Sequence, residues 1–169
     1  MKKKILKIIR ILLIIVVLLF LLWLVDKNFP VTKPLSFEVN FNQDQAAISK
    51  LKPVSRLLKL GDNQVILGSP VYFNFRPIQF YRLARFEIVY QQNGRSLTEM
   101  GGKSGVGWSY NLEKPILISD VGNGWQKAIF DFDLTKLYRP RNFMEFIINS
   151  SGESNQTMAI NQIKVTLYR

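Results

Sequence analysis

Asp131 and Asp133 stand two residues apart in a run where Ala128, Phe130, Phe132 and Leu134 occupy the intervening positions. On an extended strand residues i and i+2 share a face, so the two carboxylates would lie together, about 7 Å apart. Paired carboxylates can hydrolyse glycosidic bonds, but a retaining pair sits closer, at about 5–5.5 Å. An acidic row opposite a buried aromatic row is also how a solvated sheet face reads. That reading is preferred, and no catalytic residue is assigned.

Gly101-Gly102-Lys103-Ser104 has the end of a phosphate loop but not its beginning. The pattern needs a glycine five residues before Gly102, where Leu97 stands, and a helix should follow. A flexible hairpin is expected there instead. Asp120 and Asn123, among glycines, could face a hard cation, but calcium takes six or more oxygens and two side chains are too few. They read as turn chemistry, and neither a metal nor a cofactor is expected.

The remaining candidates are binding residues. Trp108, Tyr110, Trp125 and Tyr138 carry rings that could stack on a sugar face, with polar neighbours to hydrogen-bond its hydroxyls. Trp108 and Tyr110 share their alternation with Leu112, which points to burial. Trp125 follows a glycine turn and is expected to be more exposed. Arg139 and Arg141 flank Pro140 and could clamp a carboxylate or phosphate, or lie flat on the surface.

Composition narrows the chemistry further. The 169 residues include no histidine and no cysteine. Zinc hydrolases, histidine-dependent triads, cysteine nucleophiles and disulfides are therefore excluded. Aromatics are plentiful, with 12 Phe, 6 Tyr and 3 Trp, which favours strands.

The elements that must position these residues alternate with period two. Leu35 to Phe41, Val54 to Leu60, Gln64 to Leu67, Val71 to Phe75, Ala84 to Tyr90, Gly107 to Leu112, Ile116 to Ser119, Ala128 to Leu134, Phe143 to Asn149 and Met158 to Arg169 read as short strands. Gly61-Asp62-Asn63 reads as a hairpin turn. Asp44 to Lys52, with Ala46, Ala47, Ile48 and Leu51, is expected to be one short helix closed by Pro53. The fold class expected is mainly β: an antiparallel, jelly-roll-like β-sandwich over 35–169, with the first and last strands as neighbours.

Ahead of it lies an unbroken apolar run, Ile11 to Val25. Its 15 residues reach only about 22 Å, but a helix starting at Ile5 reaches about 31 Å, enough for a hydrocarbon core of about 30 Å. Lys7 and Arg10 then fall near one end, where long side chains snorkel to headgroups. No Ala, Gly or Ser occurs between Ile11 and Ser36 to serve as a cleavage site, so residues 1–25 are read as a basic stub and uncleaved transmembrane signal anchor. Residues 26–34, with Pro30 and Pro34, form the expected linker, spanning about 25 Å at full stretch. Lys2, Lys3, Lys4, Lys7 and Arg10 place the N-terminus in the cytoplasm and the remainder outside.

Those five account for part of the net charge of +11; the rest of the chain keeps 18 of the 23 basic residues against 12 acidic ones. A basic surface favours anionic partners. Outside the cytoplasmic membrane that means phospholipid headgroups or wall polymers, and no nucleic acid is expected.

Gly68-Ser69-Pro70-Val71-Tyr72-Phe73-Asn74-Phe75-Arg76, Phe86-Glu87-Ile88-Val89-Tyr90, Gly107-Trp108-Ser109-Tyr110 and Ile160-Asn161-Gln162-Ile163-Lys164-Val165, in that order, resemble membrane-anchored bacterial envelope proteins with a carbohydrate-binding-module-like jelly roll. The resemblance covers about residues 60–169 and implies a fold more than an activity. The expected function is a non-catalytic envelope binding module for a glycan or wall polymer. The alternatives are a scaffold subunit that binds an envelope protein, and a carboxylate-dependent glycan-active enzyme.

Overall fold

The computed structural model describes residues 2–28, 34–40, 47–78 and 80–169. The chain divides into two compact units, Met1–Leu35 and Ser36–Arg169.

The first unit carries helix α1, Lys2–Asn28. Within it Lys7–Val25 is long and apolar enough to cross a membrane, with a mean hydropathy of 3.3. Its apolar side chains are exposed on every face, from Ile8 and Ile9 through Phe20 to Val25. A helix of this kind near the N-terminus is either a transmembrane anchor or a signal sequence. The helix runs on through Asp26–Asn28, the first residues of the expected linker; residues 29–33 lie outside the described residues.

The second unit is an antiparallel β-sandwich. Its strands are β1 (Leu35–Asn40), β2 (Leu57–Leu60), β3 (Asn63–Ile66), β4 (Val71–Phe75), β5 (Leu83–Asn93), β6 (Ser96–Lys103), β7 (Tyr110–Glu113), β8 (Leu117–Gly122), β9 (Trp125–Asp133), β10 (Met144–Ser151) and β11 (Thr157–Tyr168). One sheet runs β2-β3-β11-β5-β9-β8, with β1 also on β11; the other runs β4-β10-β6-β7. The long β11 meets β3 along Met158–Ile160 and β1 near Thr166, where the Ser36 and Thr166 hydroxyls are 3.0 Å apart. First and last strands are thus neighbours.

The sheets close over a phenylalanine core. Phe86 of the larger sheet lies 4.6 Å, centroid to centroid, from Phe146 of the smaller one, and Phe132 lies 5.2 Å from the same ring. Phe73 and Phe75 join from β4. Each fully buried ring contributes about 1.5–3 kcal/mol through lost apolar surface, and aromatic pairing adds about 0.5–1.5 kcal/mol. The period-two patterns follow from this core: in β4, Val71, Phe73 and Phe75 are buried, while Tyr72 and Asn74 face out.

Two sequence expectations are corrected. Asp44 to Ala46 lie outside the described residues, but 47–52 are not helical. Ile48 and Lys52 form bridges to Phe75 and Tyr72 of β4, and the Ser49 N–H donates to the Asn74 carbonyl at 2.8 Å. Ile48 and Leu51 are buried three residues apart, which looks helical in sequence but here caps the sandwich edge. The glycines Gly101 and Gly102 are not in a hairpin turn either; they lie inside β6, buried. A Cβ on Gly102 would come within 2.6 Å of Leu137, and one on Gly101 within 2.6 Å of Leu112. Close packing on both faces, rather than flexibility, is what these glycines serve.

Candidate functional site

The outer face of the four-stranded sheet carries a cleft. In β10 the residues Met144 and Phe146 point into the core, so Glu145 points out. The ladder register places Phe146 opposite Gly102 and Lys103 opposite Tyr110. Glu145, Lys103 and Tyr110 therefore form one row across β10, β6 and β7. Lys103 Nζ donates to Glu145 Oε1 at 3.0 Å, and the Tyr110 hydroxyl donates to the same oxygen. Lys103 Nζ also sits 5.9 Å from the centroid of the Tyr110 ring.

Tyr72 closes the opposite side. β4 and β7 are the two edges of this sheet, three strand spacings or about 14 Å apart. Yet the Tyr72 and Tyr110 rings are 6.4 Å apart, because both lean inward over β10 and β6. Between those edges the register places Ile147 and Gly101, and the missing side chain of Gly101 leaves room for Leu112.

Trp108 stands at its mouth. It belongs to the 104–109 turn that joins β6 to β7. Ser104 ties the turn at its base: its N–H donates to the Ser109 carbonyl at 2.8 Å, and the two hydroxyls are 2.8 Å apart. Gly107 adopts φ +80°, a left-handed conformation that suits glycine. Trp108 still shares the outer face with Tyr110 and Leu112, and that face is open to solvent. The indole is 81% exposed and touches Tyr72 edge-on, with centroids 5.8 Å apart. The burial expected for Trp108 from the sequence is corrected here. The cleft of about 350 Å³ is lined by Tyr72, Lys103, Gly107, Trp108, Tyr110 and Glu145.

Electrostatics keep the floor charged and fixed. Partial burial raises the Glu145 carboxyl, but the hydrogen bonds from Tyr110 and Lys103, with the charges of Lys103 and Lys52, outweigh it and hold the group below the usual glutamate range. Burial pushes the Tyr110 hydroxyl well above the usual tyrosine range, and its bond to Glu145 adds to the shift. Near neutral pH the row presents a carboxylate, an ammonium and a neutral phenol. That set offers both donors and acceptors beside flat apolar rings, the composition of a small-molecule recognition site.

Of the six residues singled out in the sequence, Trp108 and Tyr110 meet in this cleft and the other four do not line it. Trp125 is half-buried at the start of β9 in the other sheet, opposite Gln91. Tyr138 is 38% exposed, and its N–H donates to the Lys103 carbonyl at 2.8 Å. Arg139 Nη2 donates to the Pro77 carbonyl at 3.0 Å and to Asn142 Oδ1, so its guanidinium is engaged within the fold. Arg141 is exposed with φ +50°. Sequence reading missed Tyr72, Lys103 and Glu145 as site residues. Their only signal was polarity at an outward strand position, which many surface residues share.

The two aspartates are both engaged. Asp131 receives Arg85 Nε and Nη2, each at 2.8 Å, and Asp133 accepts the Thr135 N–H at 3.0 Å. Asp120 Oδ1 accepts the Gly122 N–H at 2.7 Å, closing the turn before β9. Among the described residues no group of three or more acidic side chains is placed to hold a metal ion.

No family model matches the sequence, and no curated protein matches it. Among solved structures, the chain is similar to a carbohydrate-binding module described for specific mannan recognition, with TM-score 0.39 and 11% identity, covering 82% of this chain and 100% of that one. It is also similar to the enzymatically active domain of tailspike protein 4 of bacteriophage CBA120, with TM-score 0.32 and 12% identity. That match covers 80% of this chain and 19% of the tailspike chain. At these scores neither likeness bears on the site.

Proposed function

We propose that this chain is a membrane-anchored binding module that holds a glycan in the cleft beneath Trp108, with its β-sandwich outside the cytoplasmic membrane. The observation that carries the reading is the exposed indole. A tryptophan set on a tied turn, touching Tyr72 by one ring contact and flanked by a charged row, leaves 81% of its surface open to solvent. Its flat face suits the C–H face of a pyranose, while Glu145, Lys103 and Tyr110 reach the hydroxyls around the ring. Glu145 is the single carboxylate in the lining and is held by an ion pair. Glycosidases of the two-carboxylate type need a partner for it, which favours binding over cleavage.

The anchor reading is supported by α1, whose Lys7–Val25 is long and apolar enough to cross a membrane, and by the basic residues at its start. Protease added outside spheroplasts should digest the β-sandwich; full protection would overturn the topology. For the site, the purified full chain in detergent should pellet with isolated sacculi in high salt. Binding that disappears with salt would reduce the interaction to charge and remove the glycan reading.

A second reading has one observation in its favour. The edge strand β8 exposes Leu117, Ile118 and Val121, with Ile116 just before it. An unprotected apolar edge can accept a strand from another protein. Stoichiometric co-purification of one envelope protein, lost on Ile118→Lys, would support that reading.

A further inference from the structure

We infer that the end of the sandwich formed by Leu83, Tyr168 and the neighbouring arginines rests on the headgroup layer of a bilayer containing anionic phospholipid. This rests on the membrane-anchored reading above and extends it to a second surface of the β unit, separate from the Trp108 cleft.

Strand β5 runs from Leu83 at one end to Asn93 at the other, and the two ends differ in chemistry. At the Asn93 end the strand closes on Gln92, Asn93 and Gly94, all exposed and uncharged. At the Leu83 end, Phe80 is 73% exposed, Leu83 47% and Tyr168 36%. Leu83 and Tyr168 are direct cross-strand partners, and the Arg82 N–H donates to the Tyr168 carbonyl at 3.0 Å, so these residues are held together.

Arginines are interleaved with those apolar groups. Arg82 and Arg169 are exposed. The Arg169 guanidinium lies 5.8 Å from the Tyr81 ring; that of Arg85 lies 6.0 Å from the Tyr168 ring but is paired with Asp131, so Arg82 and Arg169 are the cations that face phosphate. A shallow groove of about 360 Å³ runs between Leu83, Arg85, Asp131 and Tyr168. Tyrosine and other amphipathic rings favour the membrane interface, and arginine stems lie along apolar surface while their heads meet phosphate. Anionic lipid then supplies the opposite charge.

The chain's own route supplies a separate argument. It enters the β unit at this end, where Ser36 bonds to Thr166, two positions from the Leu83–Tyr168 pair. The preceding sequence is the short linker and then the apolar helix. A surface beside the attachment point of a short tether meets the bilayer far more often than one at the Asn93 end, ten residues or about 34 Å along β5.

Because the chain has no native cysteine, single cysteines can report the position of each surface. Full-length Leu83→Cys, Asn93→Cys and Leu18→Cys, each carrying a fluorescent probe, are reconstituted into phosphatidylcholine liposomes with or without phosphatidylglycerol. Nitroxide lipids, labelled on the headgroup or the acyl chain, act as quenchers. The expected result is strong headgroup quenching at Leu83→Cys with phosphatidylglycerol, and little at Asn93→Cys. High salt or the pair Arg82→Glu and Arg169→Glu should lower the Leu83→Cys signal to the Asn93→Cys level. Equal quenching at positions 83 and 93, with acyl-chain quenching at Leu18→Cys, would overturn this inference and leave the anchor intact. No acyl-chain quenching at Leu18→Cys would overturn the anchor reading itself. Disulfide-linked dimers of Leu83→Cys without headgroup quenching would assign the surface to a second copy of the chain and likewise overturn the inference.

Discussion

The Tyr110 hydroxyl donates to the same Glu145 oxygen that Lys103 reaches at 3.0 Å, so one carboxylate organises the floor of the cleft. This makes the site sensitive to acid. The folded state holds the Glu145 carboxyl below its ordinary value, so its contribution is complete above the usual glutamate range, about 4.3, and is lost as pH falls through the lower folded value. The thermal midpoint of the wild type should therefore fall more steeply below about pH 4 than that of Glu145→Gln. Parallel curves for the two proteins would show that the row does not stabilise the fold.

Phe146 is the ring on which both sheets converge, with Phe73, Phe86 and Phe132 packed against it. Phe146→Ala should cost about 3–5 kcal/mol, the range for removing a buried aromatic ring. Phe146→Leu should cost less, because it keeps much of the volume. Denaturant unfolding followed by circular dichroism measures both.

Gly102→Ala tests the close approach inside β6. The added methyl would meet Leu137 at 2.6 Å in a buried site, and overpacking of this kind costs about 1–3 kcal/mol. Gly61→Ala is the comparison: nothing lies within 4 Å, so any cost there comes from its φ of +58° alone. Urea midpoints of the two variants separate packing from backbone conformation.

Arg95 is 5% exposed and donates to three carbonyls, those of Leu67, Glu153 and Gln156. It ties the 152–156 turn to the end of β3. Arg95→Met keeps the apolar stem but removes all three bonds, the Glu153 carbonyl keeping only the Gln156 N–H at 3.1 Å, and hydrogen bonds to a charged group are worth about 1.5–3 kcal/mol each in net terms. A loss of stability with faster amide exchange in 152–156 is expected. Unchanged exchange there would show that the turn holds without Arg95.

The strands β4, β5, β9 and β11 were legible because each buries one face in the phenylalanine core, and burial enforces period two. β6 was not, because Gly101 and Gly102 fill buried positions that an apolar pattern would mark. The segment 47–52 read as helical because Ile48 and Leu51 have helical spacing, yet β4 offered it backbone partners. In the site, the residue types at 108 and 110 were visible. Their setting was not, because Glu145, Lys103 and Tyr110 form a row only through cross-strand register, and the face that Trp108 shares with Tyr110 is the outer one.

The central claim is that Trp108 presents a glycan platform. Titration of the full chain in detergent with soluble wall-glycan fragments, compared with Trp108→Ala and Trp125→Ala, tests it most directly. Trp108→Ala should weaken binding at least tenfold, about 1.4 kcal/mol, with stability unchanged within about 0.5 kcal/mol because the residue is exposed. Trp125→Ala should bind as the wild type does. Glycan binding that survives Trp108→Ala, or that fails in Trp125→Ala instead, would contradict the account.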